Sequence, residues 1–532
     1  MNACTPKAGD PNFSESMASP RGWPEFINRL IAFESPETRV VETHVSWVLL
    51  TGDFAYKIKK PLNLGFLDFS TPEKRHQACL EELRLNRRLA PSLYLDVVPI
   101  GGSPDQPRFG GLGPAFDYAV KMRQFPPEAT FDLMEEAGKL NAGHIERVAL
   151  RLAHFHQEDC ARAPADSPWG EPDAIWRTVA QNFEQLAPRL ERAADRARLD
   201  ALERWSLQEH ARLTPLMKQR KLAGFVRECH GDLHLGNLAW VDEAPLIFDC
   251  IEFSAELRWI DAVSEIAFCY MDLMHRGHAN WAWLFLNAWL EITGDYAGIA
   301  LLRYYAVYRA LVRAKVSLLR ASQAREGARE AAQADARAHL ELATALTAPP
   351  TARLDITHGL SGSGKSTATR ALMQNPGAIR LRSDVERKRL AGLDAHAHGG
   401  SSVGRRLYAA HITERTYERL DTLAGALLDA GWPVIVDATF IKRWQRDRLR
   451  KTARDRAVAF RILDFPVAQP ILRERIASRA RAGNDASEAG LEVLLHQVET
   501  EEPLEEDEMA CVVRINSDLP GISRSGLRFE PR

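Results

Sequence analysis

The sequence predicts an α+β domain followed by an α/β domain with a central parallel sheet. Three observations carry that prediction. At 532 residues the chain is too long for one ordinary core. Strand-like and helical patterns alternate from about Trp23 to Ala321, and a fresh β/α alternation begins at Leu354. Between them, Ala321–Ala348 is rich in Ala, Arg and Glu, a composition that favours a helix, which Pro349-Pro350 then ends. The expected organisation is a flexible tail over 1–22, a first domain over 23–321, a helical linker over 322–351 and a second domain over 352–532.

Hydrophobic residues make up 45% and charged residues 26%, the balance of a soluble globular protein. The formal net charge of −2 gives no reason to expect nucleic acid or an anionic membrane as partner. Charge is nonetheless uneven locally: Lys442–Arg461 is basic and Glu499–Glu508 acidic. The seven cysteines are scattered and odd in number, so reduced thiols in a cytoplasmic protein are expected, not a disulfide framework. No basic start precedes an apolar run, so no signal peptide is expected. Trp281–Leu290 is too short to span a bilayer and reads as a buried helix.

In the first domain, Thr43–Leu50 and Phe54–Lys60 read as strands joined by the turn Thr51-Gly52-Asp53. Thr71-Pro72-Glu73 opens a helix, with threonine as cap and proline in the first turn. Tyr118–Phe125 is a further strand, and Asn141 to about Leu213 is almost wholly helical. The chemistry lies in His230-Gly-Asp232-Leu-His-Leu-Gly-Asn237, followed by Leu246-Ile-Phe-Asp249. Asp and Asn five residues apart in a loop, then a second Asp after an apolar strand, suit phosphoryl transfer. Asp232 would accept the proton of an attacking hydroxyl, while Asn237 and Asp249 would hold Mg²⁺ against a triphosphate.

In the second domain, Gly359-Leu360-Ser361-Gly362-Ser363-Gly364-Lys365-Ser366 matches G-x-x-x-x-G-K-[ST]. Glycines let the backbone curl and turn its N–H groups onto phosphate oxygens. Lys365 would bridge the β- and γ-phosphates of ATP and Ser366 would ligate Mg²⁺. Leu354, Ile356 and His358 alternate as a strand should, and Thr367–Met373 reads as a helix whose N-terminus faces the anion. Asp437 ends the apolar run Val434-Ile-Val, which suits a carboxylate on the metal side at the C-terminal edge of a buried parallel strand, though a cap on the next helix explains it too. Asp384, after the short strand Ala378–Leu381, suits removal of an acceptor's hydroxyl proton, though a helix cap before Val385 explains it too. Arg475 and Arg479 lie on a helical segment that could close over the triphosphate and stabilise developing charge.

The second set resembles the small P-loop kinases, a group that includes gluconate kinases, chloramphenicol phosphotransferases and the kinase domain of polynucleotide kinases. That resemblance covers most of 352–515 and implies that Asp384 activates the acceptor and that Arg475 and Arg479 form the lid. His230-Gly-Asp232, with no Phe-Gly after Asp249, resembles the aminoglycoside phosphotransferase family over roughly residues 25–320. The resemblance implies a two-lobed, kinase-like first domain. In it, Lys57 or Lys59 would grip the α/β-phosphates and the helix bearing Glu81-Glu82 would supply the orienting carboxylate, with Glu82 taken as the contact. The pattern lacks a G-x-G-x-x-G loop and shows only Thr51-Gly52-Asp53.

The whole therefore resembles fusions of an aminoglycoside-phosphotransferase-like domain with an ATP-binding P-loop domain. It implies a phosphotransferase using ATP and Mg²⁺ at two sites, acting on small-molecule hydroxyls. Two alternatives remain open at this point. One is an ATP-binding sensor with a silent domain. The other is nucleic-acid end processing served by the basic run, a reading the near-neutral chain disfavours.

Overall fold

The computed structural model describes residues 23–515 apart from 35–37, 64–66, 104, 105, 112, 395–409 and 483–489. The tail expected over 1–22 lies outside the described residues. The chain divides into two compact units. One comprises the residues up to His144 together with Glu158–Glu171 and Lys218–Glu265; the other comprises Ile145–Gln157, Pro172–Met217 and the described residues from Ile266 onward.

The first unit is built on a six-stranded antiparallel sheet in the order β1-β2-β3-β6-β4-β5. Its strands are β1 (Arg39–Glu42), β2 (Ser46–Leu50), β3 (Phe54–Lys59), β4 (Tyr94–Ser103), β5 (Gln106–Phe109) and β6 (Asp117–Arg123). The period-2 alternation of β3 sends Tyr56 and Ile58 to one face. There they pack with Trp47, Leu49 and the apolar side of helix α1 (Trp23–Glu34), including Phe26, Ile27 and Leu30. Ala55, Lys57 and Lys59 face the other way, where Cys79 and Leu83 of helix α2 (Pro72–Asn86) cover the sheet. Thr71 caps α2 as expected, accepting from the Lys74 N–H, with Pro72 at the first helical position.

Beyond the sheet, a short hairpin pairs β8 (Leu238–Val241) with β9 (Ala244–Ile247) in antiparallel register; β7 (Val226–Glu228) and β10 (Trp259–Asp261) form a separate two-stranded ribbon. Asp242 and Glu243 turn the hairpin with φ of 51° and 59°, the left-handed pair that a tight two-residue loop requires. The hairpin brings Phe248 back to Asn237, whose carbonyl accepts the Phe248 N–H at 3.0 Å. Sequence positions 237 and 249 thereby become neighbours.

The second unit contains the five-stranded parallel sheet β12-β13-β11-β14-β15, with β11 (Arg353–His358) central and β12 (Ile379–Arg382), β13 (Val434–Asp437), β14 (Ala459–Asp464) and β15 (Val512–Arg514) around it. Leu354, Ile356, Val434, Val436 and Ile462 are fully buried, as strands covered on both faces require. The register sets Arg382 beside Asp437 and His358 beside Asp464, so the charged residues line the C-terminal edge of the sheet. Trp281–Leu290 falls inside helix α3 (Ala279–Thr293) with Leu284, Phe285 and Leu286 fully buried. Among the described residues no helix is long and apolar enough to cross a membrane.

One expectation needs correction. Ala321–Ala348 is not one helix: α4 (Leu302–Gln323) ends and α5 (Glu326–Thr347) begins across Ala324 and Arg325, both in extended conformation. Gly327, the one turn residue in the segment, sits inside α5. The chain doubles back so that Leu311, Ala314 and Leu318 of α4 and Ala336, Leu340 and Ala343 of α5 are buried. Helical propensity persists on both sides of the break, but burial of two apolar faces outweighs the propensity of two residues.

Candidate active sites

In the first unit the two candidate lysines separate. Lys57 Nζ lies 2.8 Å from Glu82 Oε1 and also contacts the Asp249 carboxylate. Lys59, fully buried, contacts Glu252 and lies 2.5 Å from Glu82 Oε2. Asp249, whose side chain is 45% exposed, opens the Lys57 end to solvent, while Glu252, 5% exposed, closes the Lys59 end. Burial pulls the Lys57 ammonium down, yet Asp249 and then Glu82 outweigh it and hold the group well above its usual value. Burial pushes the Asp249 carboxyl up, and Lys57 more than offsets this, keeping it below the ordinary carboxylate range. Asp249 itself sits at φ 63°, uncommon for a non-glycine residue, with its N–H donating to the Tyr94 hydroxyl at 3.2 Å.

Asp232 and Asn237 meet through the Asn237 amide, whose Nδ2 donates to the Asp232 carbonyl at 2.9 Å and to its Oδ2 at 3.1 Å. His234 Nε2 is 3.5 Å from the same Oδ2. His230 accepts the Asp232 N–H at Nδ1 and reaches the Phe248 carbonyl through Nε2 at 2.7 Å, tying the loop to the strand before Asp249. The structure also explains the glycine of His-Gly-Asp. Gly231 has φ 90°, and a Cβ there would stand 2.8 Å from the Leu257 carbonyl oxygen. Its N–H and that of His230 both donate to buried Glu265, at 2.9 and 2.7 Å.

Thr51-Gly52-Asp53 forms the turn between β2 and β3, closed by the Thr51 N–H to the Phe54 carbonyl. The turn between β1 and β2 is Thr43-His44-Val45, which contains no glycine. His156 is buried and accepts from Trp289 Nε1 at 3.0 Å.

In the second unit, Gly359, Gly362 and Gly364 adopt φ of 143°, 86° and 89°, which curls Leu360, Ser361 and Ser363 around the loop. Helix α6 (Lys365–Leu372), which carries Ser366 and Thr367, starts directly after it. Lys365 Nζ donates to the carbonyls of Gly359 and Leu360 at 2.8 and 2.7 Å, which stations the ammonium at the loop's mouth. Asp437 is 5% exposed, and its Oδ2 accepts from Thr369 Oγ1 at 3.0 Å. Asp384 stands in the first turn of helix α7 (Ser383–Leu390), two residues past the Arg382–Asp437 register pair, with Arg387 Nη1 3.5 Å away. Arg475 Nη1 is 3.4 Å from the Gly362 carbonyl, on the helix over the loop. Arg479 lies on the same helix, Gln469–Ala482, with its side chain outside the described residues.

A cavity of about 810 Å³ opens beside the loop, lined by His358, Gly359, Asp464, Val467 and Glu501 among others. His358 Nδ1 pairs with Asp464 at 2.8 Å. Nothing local in the sequence marks this pair, since His358 falls in a strand pattern and its partner is 106 positions away.

The two charge runs of the sequence meet one another. Helix Arg443–Asp455 presents Arg443 and Arg450 to Asp507, and Arg446 pairs with Glu508 where both side chains are 1% exposed. Lys442, Arg443, Arg446 and Arg450 of the basic run are thus paired with the acidic one.

Two family models match this chain: residues 66–302 match the phosphotransferase enzyme family, and 354–504 match the AAA domain. The chain is 32% identical over 454 residues to uncharacterized protein Rv2004c of Mycobacterium tuberculosis, covering 85% of this chain and 89% of that protein. The match to uncharacterized protein Mb2027c of Mycobacterium bovis has the same extent. Among solved structures, a choline/ethanolamine kinase family protein from Mesorhizobium loti overlaps 59% of this chain and 94% of its own at 11% identity and a TM-score of 0.36. A gluconokinase from Sinorhizobium meliloti overlaps 32% and 84% at 20% identity and a TM-score of 0.24.

With its nucleotide-binding loop and a kinase-type constellation in a phosphotransferase-family domain, the chain is a kinase. It belongs to the same family as the mycobacterial proteins Rv2004c and Mb2027c.

Proposed function

We propose that the chain carries two ATP–Mg²⁺ sites, each transferring the γ-phosphoryl group to a hydroxyl of a small molecule. The observation that carries this reading is the convergence of Lys57, Glu82 and Asp249, with the hairpin returning Asp249 to the loop of Asp232 and Asn237. Such a set has a use for every member. Lys57, oriented by Glu82, neutralises α/β-phosphate charge, while Asp232 receives the acceptor's proton as its oxygen bonds to phosphorus and the β–γ bridging bond breaks, releasing ADP.

The donor atoms suit Mg²⁺, which takes oxygen ligands. Asn237 spends its Nδ2 on Asp232, which leaves its Oδ1 and the Asp249 carboxylate as the oxygen donors of the first site. Ser366 and Asp437 offer a hydroxyl and a carboxylate in the second. Bound there, the metal would supply positive charge to offset that of the phosphates. In the second site the residues present act by position: the loop N–H groups and Lys365 bind the phosphates, Asp384 accepts the proton, and Arg475 and Arg479 lie on the helix over the loop.

ATP consumption against a panel of sugars, aminoglycosides, amino alcohols, nucleosides and oligonucleotides tests the reading, with Asp232→Ala and Lys365→Ala beside the wild type. Each variant is expected to abolish one acceptor-dependent activity and spare the other. Acceptor-dependent activities untouched by both substitutions would refute both assignments.

A further inference from the structure

One edge strand of the P-loop sheet is β12, and it is covered by α3, a helix inside the segment matched to the other family. Asn287 of α3 acts there as a neighbouring strand would. Its Nδ2 donates to the Ala378 carbonyl at 2.9 Å and its Oδ1 accepts the Arg380 N–H at 2.7 Å. The packing is close: a Cβ on Gly377 would come within 2.2 Å of Trp283 Nε1. Arg389 of α7 in turn donates to the Glu291 and Ile292 carbonyls, at 2.8 and 3.2 Å, near the C-terminus of α3.

An edge cap needs only Asn287. Glu291, one helical turn further along the same face, does something else. Its carboxylate, 14% exposed, lies 3.2 Å from Arg380 Nη2 and 2.5 Å from Arg382 Nη1. Both guanidiniums belong to the site's own strand. Arg380 Nη1 reaches the Ser366 carbonyl at 3.2 Å and Thr369 Oγ1 at 3.4 Å, and Thr369 holds Asp437. Arg382 precedes Asp384 by two residues and is the register partner of Asp437. Asp437 acts electrostatically on both arginines and Asp384 acts on Arg382, so these two carboxylates compete with Glu291 for the cations.

We infer that Glu291 is a positioning residue for the P-loop site. It holds Arg380 and Arg382 away from Asp437 and Asp384, leaving those carboxylates to the metal and the acceptor. The P-loop site thereby depends on a helix of the phosphotransferase-family segment. This rests on the ATP–Mg²⁺ reading of the P-loop above.

The test uses the full chain in a Lys57→Met background, which removes nucleotide binding at the other site, with fluorescent N-methylanthraniloyl-ATP as probe and Mg²⁺ as titrant. Glu291→Gln is expected to raise the half-saturating Mg²⁺ concentration about tenfold, while probe affinity without Mg²⁺ changes less than about threefold. Glu291→Asp keeps the charge at shorter reach and is expected to fall between parent and Gln variant, and it decides alone if the Gln variant does not fold. A Mg²⁺ dependence equal to the parent's, with only a lower unfolding midpoint, would make Glu291 a structural cross-link and overturn the inference. Lys365→Ala separates the two levels. If it leaves probe binding intact, the nucleotide reading of the loop fails and the inference falls with it. If it abolishes binding while Glu291→Gln matches the parent, the inference alone falls.

Discussion

Lys57 Nζ stands 2.8 Å from Glu82 Oε1 and against Asp249, whereas Lys59, two residues along the same strand face, is sealed between Glu82 and Glu252. The two lysines are therefore expected to fail differently. Lys57→Met should lower kcat/KM of the first site by about a hundredfold or more, since the electrostatic contact proposed for the phosphates is lost. Lys59→Met leaves Glu252 buried without its partner and should cost about 3–5 kcal/mol of stability. Urea unfolding and steady-state kinetics on both variants distinguish them. Equal kinetic losses in two equally stable variants would contradict the assignment.

Gly231→Ala should disable the first site while sparing the second. The added Cβ meets the Leu257 carbonyl at 2.8 Å, and φ 90° strains any other residue. The loop must shift, and Asp232 is the next residue. The expected result is a loss of about a hundredfold or more in the acceptor-dependent rate of the first site, because misplacement of this order is that costly. The Lys365-dependent activity should persist. Retention of both activities would count against the loop geometry described.

His339 gives the second unit an acid-sensitive element. Its ring stacks on His275 at 3.5 Å between centroids, and Nδ1 lies 2.9 Å from the Asp335 carbonyl. Burial, reinforced by His275 and only partly opposed by Asp335, pushes its imidazole down to about 4. The unfolded chain takes up this proton near pH 6.5, before the folded one does, so stability from this group is full above that pH and is lost as the pH falls towards 4. The change is on the order of 3 kcal/mol, from a depression of about two and a half pH units. Chemical unfolding between pH 7 and 4 on wild type and His339→Leu measures it, and the variant should show a flatter profile.

The pairs between the two charge runs differ in burial, and their losses should differ accordingly. Arg446→Met should cost about 3–5 kcal/mol because it removes the 2.6 Å ion-pair partner of buried Glu508. Arg450→Ala, which breaks an exposed pair with Asp507, should cost less than about 1 kcal/mol. Anisotropy with a labelled single-stranded oligonucleotide should show no steeply salt-dependent binding by the wild type.

What the sequence made legible was what depends on neighbours in sequence. The P-loop's glycines, its lysine and the helix that follows lie within a few residues, and Asp249 and Asp437 announce themselves by closing apolar strands. The choice between Lys57 and Lys59 was closed to the sequence. Strand alternation puts both on one face, and what separates them is carboxylates at 249 and 252, nearly 200 residues away. The break at Ala324-Arg325 carries no glycine or proline, because the driving force is burial along two whole helices. Glu291 was invisible for the same reason. A lone glutamate in an apolar helix has no signature until Arg380 and Arg382 arrive beside it.

The central claim is two nucleotide sites on one chain, and equilibrium dialysis against ATP with saturating Mg²⁺ tests it most directly. The wild type is expected to bind two molecules of ATP per chain, Lys57→Met and Lys365→Ala one each, and the double variant none. A single ATP per wild-type chain, or two retained by Lys365→Ala, would contradict the account.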